Sequence, residues 1–498
     1  MDYISTRDTS EVPRSISSAQ AIKTGIAPDG GLFMPTEIPH LAPGDIEKLC
    51  AMPYSERAAY ILSMFLTDYD RDGLRADCAE AYSEERFPSS PAPVVSLGAG
   101  IYSLELWHGP TCAFKDMALQ IMPRLLSRAL VKTGEKRTAL ILVATSGDTG
   151  KAALEGYRDI PGTKIQVFYP VDGVSEVQKL QMMTQEGKNV SVAAIRGNFD
   201  DAQSGVKRIF ADEDTKSALN EHGVFLSSAN SINWGRLAPQ IVYYVSAYCD
   251  MVRNGAIQLG ELIDVCVPTG NFGNIFAAYL AKRMGLPIDR LICASNTNNV
   301  LTEFLTTGVY DRNRTFHTTM SPSMDILISS NLERLLYLLF GHERTASCMR
   351  SLAETGWYEL TPAELAAVQR TFVGYCTDED GTRKTLRETW KDRHYLADPH
   401  TAVALGAARP YQRDHGAKRK LLVASTASPY KFAYDVYRSL FDETPSDGLA
   451  ALTMLTEKTG VAIPAPLGHI AERTVRFTGV IDADEMPAEV LRFASDVD

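Results

Sequence analysis

Short apolar runs that recur along the chain, separated by helical stretches, constrain the fold most. They are Ala139 to Val143, Lys164 to Phe168, Val190 to Ile195, Ile263 to Val267, Leu291 to Ala294 and Leu421 to Ala424. Each is strand-length and nearly continuous in apolar residues, as strands buried on both faces of a parallel sheet are, so the alternation predicts an α/β fold with parallel sheets. At 498 residues the chain is too long for a single core, which predicts two or three domains. Residues 1–95 read as a separate opening unit, closed by the proline-dense Pro88-Ser89-Ser90-Pro91-Ala92-Pro93, and residues 96–498 as a larger region of two α/β domains. From about Asp325 to Trp390, including Leu332 to Leu339 and Pro362 to Tyr375, the pattern reads as a helical insertion without strands.

In an open α/β sheet, ligands gather beyond the carboxyl ends of the strands, and two strand ends here carry suitable chemistry. The run Val265 to Val267 passes through Pro268-Thr269-Gly270-Asn271-Phe272-Gly273-Asn274 into a helix. Gly270 and Gly273 allow backbone N–H groups to turn toward an anion, and a helix opening near Asn274 adds the positive end of its dipole. Leu421 to Ala424 runs into Ser425-Thr426-Ala427-Ser428, where a hydroxyl of Ser425 or Thr426 is placed to meet a heteroaromatic nitrogen. A third segment, Gly109-Pro110-Thr111-Cys112-Ala113-Phe114-Lys115-Asp116, sets a lysine beside apolar residues that would desolvate its amine and make it a nucleophile toward an aldehyde. Each piece also has a plain structural reading: a tight turn, an N-cap, a surface lysine.

Together the three supply an aldehyde-binding lysine, a phosphate cradle and a neutral partner for a ring nitrogen, the anchors that pyridoxal 5'-phosphate needs. The combination resembles the threonine synthase family. Its further motifs are Tyr3-Ile4-Ser5-Thr6-Arg7, Ala27-Pro28-Asp29-Gly30-Gly31-Leu32-Phe33-Met34-Pro35, Thr145-Ser146-Gly147-Asp148-Thr149-Gly150, Asn230-Ser231-Ile232-Asn233-Trp234-Gly235-Arg236 and Asp398-Pro399-His400-Thr401-Ala402. The resemblance implies the fold of the tryptophan synthase β-like group, with two doubly wound domains, and conversion of O-phosphohomoserine and water to threonine and phosphate. A serine or threonine dehydratase-like lyase of the same fold is the alternative.

For the site, the resemblance implies that Lys115 bonds the cofactor's aldehyde and later carries protons. Gly270, Asn271, Phe272, Gly273 and Asn274 would hold the cofactor phosphate, and Thr426 would face the pyridine nitrogen. A second phosphate, that of the substrate, needs its own donors. Arg236 is the leading candidate because a guanidinium pairs with two phosphate oxygens at once, with Asn233, Ser146, Thr149 and Lys179 beside it. Many relatives of the fold carry Asn where Asp148 stands, contacting the cofactor's ring oxygen, and a carboxylate would repel that oxygen. The Ser146 to Lys151 turn is not a nucleotide P-loop, since Thr145 stands where the first glycine belongs and Ala152 follows the lysine.

Composition bounds the rest. A net charge of −11, with no basic run interleaved with aromatics, argues against a nucleic-acid surface. No stretch approaches the roughly 20 apolar residues of a membrane span. The first residues, with Asp2, Asp8 and Glu11, match neither a secretory signal nor a transit peptide. The 8 cysteines are scattered without a Cys-x-x-Cys pair, which fits a reduced cytoplasm and no metal site, and Cys112 reads as apolar filler. Relatives are monomers or homodimers, and the expected partner is the small-molecule substrate.

Overall fold

The computed structural model describes residues 1–145, 147–172 and 174–496. Among these, the six predicted runs are all strands, divided between two sheets. The larger sheet has the order Phe372–Cys376, Ile288–Ser295, Ile263–Pro268, Lys420–Ser425, Ile101–Glu105, Val94–Gly98, parallel throughout except for the antiparallel last strand. The smaller is wholly parallel, in the order Val480–Ile481, Val190–Ile195, Thr163–Pro170, Thr138–Ala144, Val224–Ser227.

Successive strand side chains point to opposite faces, so each sheet feeds two cores. Val265 and Val267 belong to the main core, while Cys266, between them, packs with Ala402, Val403 and Ala407 of the helix Pro399–His415. In the smaller sheet, Ile141 joins the main core and Leu140 and Leu142 pack with Ile209 and Phe493 on the other face. Apolar residues are therefore favoured on both faces of each strand, with a few buried exceptions such as Gln166 and Asp264, which is why these runs stand out in the sequence.

The opening unit builds an antiparallel sheet from Ile16–Ser17, Asp2–Ser5 and Phe33–Pro35, followed by helices. It packs on the helix Trp234–Arg253, which is buried from Trp234 through Met251. The Trp234 ring lies 5.5 Å from both Tyr3 and Phe65, and the buried Arg57 donates to Asp250 at 2.7 Å and to the Ser246 hydroxyl at 2.8 Å.

Residues 325–390 depart from the helical reading. The helices Leu332–Glu354, Pro362–Gln369 and Glu379–Arg393 are present, but so are two strands. Trp357–Glu359 pairs with Val309–Asp311, and Phe372–Cys376 forms the outer parallel strand of the larger sheet. Gly374 lies so close to the helix Val300–Thr307 that a Cβ there would sit 2.8 Å from the Thr302 Cα. The glycine that this close packing requires also interrupts the apolar run that would have marked a strand.

Candidate active site

The lysine loop is fastened to the end of a strand. Phe114 N–H donates to the Thr426 carbonyl at 2.8 Å, and Ala113 bridges Ala427, so the loop lies against the chain leaving Lys420–Ser425. Asp116 ties the loop to itself, accepting from the Thr111 amide at 2.8 Å and hydroxyl at 2.6 Å. A Cβ on Gly109 would lie 2.6 Å from the Asp116 carboxylate, so this turn closes only over glycine. Burial pushes Asp116 up to about 6, against the opposing hydrogen bonds from Thr111.

Lys115 is thereby held in the wall of a cleft. Its Nζ donates to Ser323 Oγ at 3.2 Å, lies 3.9 Å from Asp148 Oδ2 and sits 4.8 Å from the Phe114 ring centre. Burial lowers its pKa to about 8; Asp148 opposes that shift, while Arg236 and Lys431 add to it. This is the desolvated amine expected from the flanking residues.

The cradle faces it. Phe272 adopts a left-handed conformation with φ 59° and turns the chain into the helix Gly273–Arg283, whose first turn has no side-chain cap. The opening amides of such a helix point at whatever anion lies before it. Gly270 is packed against the neighbouring loop, where a Cβ would lie 2.5 Å from the Ser323 carbonyl. Ser329 donates to the Gly270 carbonyl at 2.7 Å and Asn331 to the Asn271 carbonyl at 3.0 Å, which fixes the loop from behind. Asn274 accepts through Oδ1 from Tyr243 at 2.7 Å and from Tyr244, which leaves its buried Nδ2 without a partner.

Lys115, Gly270, Asn271, Phe272, Gly273, Asn274, Thr426, Thr149 and Arg236 all line this one cleft. Arg236 is buried and donates to the Ala229 carbonyl; its Nε has no partner and no carboxylate reaches it among the described residues. Burial brings its pKa down to about 10, with Tyr157 opposing. Thr426 Oγ1 makes no hydrogen bond among the described residues, whereas Ser425 Oγ already accepts from Trp107 at 3.0 Å and from Thr401 at 3.0 Å.

Three candidates do not join them as expected. Asn233 is the N-cap of Trp234–Arg253: Oδ1 accepts from Gly235 N–H at 2.9 Å and Nδ2 donates to the Ile22 carbonyl at 2.8 Å. It lines a different cleft, with Thr24, Arg137 and Phe225, and so offers the substrate nothing. Lys179 is spent on the Val171 carbonyl. Ser146 lies outside the described residues.

Other groups emerge only from the fold. His400 accepts at Nε2 from Ser323 N–H at 3.1 Å, which places its proton on Nδ1, 2.7 Å from Asp398. In the sequence Asp398-Pro399-His400 stands only as a motif of the resemblance, and the histidine's place behind Ser323 was not readable from it. Lys431, wholly buried, meets Asp148 at 2.8 Å and the Thr111 carbonyl at 2.9 Å.

Similarity to known proteins agrees with this geometry. A family model described as "Threonine synthase N terminus" matches residues 2–82, and one described as "Pyridoxal-phosphate dependent enzyme" matches residues 84–426. "Threonine synthase-like 1" of Homo sapiens is 40% identical over 450 residues, covering 87% of this chain and 60% of the relative; the chain thus spans about 60% of the length of such relatives. "Threonine synthase" of Pseudomonas aeruginosa is 36% identical over 487 residues, covering 96% of this chain and 95% of the relative. The crystal structure of a pyridoxal-phosphate-bound threonine synthase from Brucella melitensis superposes with a TM-score of 0.88 at 35% identity, covering 99% of each chain. With both family models and a near full-length relative in agreement, and with Lys115, the Gly270–Asn274 loop and the Thr426 hydroxyl in one cleft, the chain belongs to the threonine synthase family of pyridoxal-phosphate dependent enzymes.

Proposed function

We propose that this protein converts O-phospho-L-homoserine and water to L-threonine and inorganic phosphate. The observation that carries the reading is the buried, carboxylate-free guanidinium of Arg236 in the same cleft as the Gly270–Asn274 cradle. A lyase acting on an unphosphorylated amino acid must hold the cofactor phosphate and the substrate carboxylate; a phosphorylated substrate adds a dianion, which suits the guanidinium of Arg236.

The residues present fit the cofactor. The partnerless Nδ2 of Asn274, the uncapped helix start at Gly273 and the close approach at Gly270 suit its phosphate, and the free hydroxyl of Thr426 suits its ring nitrogen. When bound, pyridoxal phosphate supplies an electron sink for negative charge developing next to the substrate's amino group, and a hydroxyl partner leaves that sink weaker than a carboxylate would.

The chain's own groups do the rest. Lys115, with its pKa near 8, is poised as the base that takes the proton beside the substrate amino group and later returns it. Ser323 accepts from Lys115 Nζ, and Ser323 is itself held by His400, so the amine is aimed rather than loose. Arg236, with Thr149 beside it, holds the substrate phosphate and balances its growing charge as the carbon–oxygen bond breaks.

Among the described residues no helix is long and apolar enough to cross a membrane, and all eight cysteines are free thiols. Free thiols suit a reducing cytoplasm, and the family resemblance carries the reading of a monomer or homodimer. The test is to supply O-phosphohomoserine and measure both products: threonine and phosphate should appear in equal amounts. Ammonia and a keto acid from serine or threonine, with no phosphate release from the phosphorylated substrate, would move the protein to the dehydratase-like reading.

A further inference from the structure

Asp148 stands where a carboxylate should be unwelcome, and the structure shows what it meets. It opens the helix Asp148–Tyr157 after Gly147, whose φ of 135° lets Gln178 close over the turn. Asp148 Oδ1 accepts from Gln178 Nε2 at 2.8 Å and meets Lys431 Nζ at 2.8 Å, while Oδ2 faces Lys115 Nζ at 3.9 Å. All three charged groups are buried. They also come from three separate places: Lys115 from the loop after Ile101–Glu105, Asp148 from the smaller sheet's first helix, and Lys431 from the short turn Pro429–Phe432 beyond Lys420–Ser425.

A buried lysine facing a lone buried carboxylate would form a simple ion pair, and its amine would stay protonated. A second lysine on the far oxygen divides the carboxylate's attraction. We infer that Lys431 is a positioning residue that keeps Asp148 ionised and turned toward itself, so that Asp148 orients the Lys115 amine without locking it in the protonated form.

The charges around Lys115 agree with this role. Asp148 and Asp116 favour its ammonium, Arg236 and Lys431 oppose it, and burial outweighs all of them. His400 stands behind Ser323 as a neutral acceptor, so the positive charges facing Asp148 are the two lysines. Burial pushes the Asp148 carboxyl up, but Lys431 and Lys115 together hold it well below the usual carboxylate range. It is therefore charged at every pH at which the enzyme would work, and its compensation depends on Lys431 rather than on protonation.

The inference rests on Lys115 being the reactive amine, and its test uses no substrate, so its failure is separable from failure of the proposed reaction. The full-length chain, stripped of cofactor, is labelled with acetic anhydride against a free-amine standard between pH 6 and pH 11, as an order-of-magnitude working range around lysine's ordinary pKa. Labelling of the Lys115 peptide, read by mass spectrometry, gives the amine's midpoint, expected at about 8 in the unaltered chain.

Lys431→Met should raise that midpoint by about one unit, because Asp148 then acts on Lys115 alone. Asp148→Asn should lower it by about one unit, because Lys431 and Arg236 are then unopposed. The double variant should return to about the starting value. A pair that merely braces the two domains would leave the midpoint in place, or move it the same way in both single variants, and either result overturns the inference. Should Lys431→Met fail to fold, as circular dichroism would show, Lys431→Gln, which keeps a polar group against Asp148, takes its place: a raised midpoint supports the role, and an unchanged or lowered one rejects it.

Discussion

Arg236 brings a positive charge into a buried wall with no carboxylate to meet it among the described residues, an arrangement that costs stability unless a ligand offsets it. Arg236→Met should therefore separate stability from function. Losing a charge-assisted contact to a phosphate costs about 1.5–3 kcal/mol, so kcat/KM for O-phosphohomoserine should fall by roughly ten- to a hundred-fold, through a higher KM and a lower kcat. The melting temperature should hold or rise, since a desolvated cation is removed. A variant that keeps its KM but melts earlier would make Arg236 a structural residue. This residue was legible in the sequence because its guanidinium and its position just inside a helix suit phosphate. Asn233, three residues earlier, was misread for the same reason: an asparagine at a helix start serves a backbone amide as readily as a ligand, and only the Gly235 and Ile22 contacts distinguish the two. Lys431 gave no signal at all, because Thr111 and Asp148, the groups that enclose it, lie about 300 residues away in the chain.

The strand-loop-helix unit Ile263–Pro268 to Gly273–Arg283 was readable because a buried parallel strand favours apolar residues on both faces and an anion turn must contain glycine. What the sequence did not show is what the loop leans on. Gly270 is pressed against the Ser323 carbonyl, and Ser323 is the acceptor for Lys115, so cradle and lysine share one neighbour. In Gly270→Ala the new methyl, at 2.5 Å from that carbonyl, must push one loop away. Overpacking of this kind costs about 1–3 kcal/mol, so cofactor affinity, followed by visible absorbance, should weaken about ten-fold or more. Gly273→Ala, whose nearest neighbour would be the Asn331 side-chain amide at 3.3 Å, should be milder. Equal effects at the two glycines would argue that the loop needs backbone freedom rather than space. Strands with weaker apolar signals escaped: Val94–Gly98 and Val480–Ile481 are exposed edges, and Phe372–Cys376 is broken by Gly374.

At the scale of the whole molecule, residues 1–95 read in the sequence as a separate opening unit, yet the contacts they make brace the cradle. Arg7 holds Glu333 through two hydrogen bonds of 2.8 and 2.6 Å, and Thr6 donates to the same carboxylate. The adjacent Arg334, wholly buried, donates to the Phe33 carbonyl at 3.2 Å, to the Ile232 carbonyl at 2.5 Å and to Asn331, and Asn331 in turn holds the cradle at Asn271. Removing residues 1–82 would cut these links, expose Trp234 and leave Asp250 without its buried arginine. Uncovering each large apolar side chain costs about 1.5–3 kcal/mol, and several on Trp234–Arg253 lose their cover together with Trp234, which approaches the whole stability of a typical domain. The truncated chain should therefore bind a hydrophobic dye, melt without a cooperative transition and fail to hold the cofactor. Glu333→Gln tests the brace without unfolding it: Arg7 is partly exposed, so stability should drop by only about 1 kcal/mol, while cofactor affinity falls several-fold. Were affinity unchanged in Glu333→Gln and retained by a well-folded truncated chain, the opening unit would be an independent neighbour, and the cradle would owe its shape to the larger sheet alone.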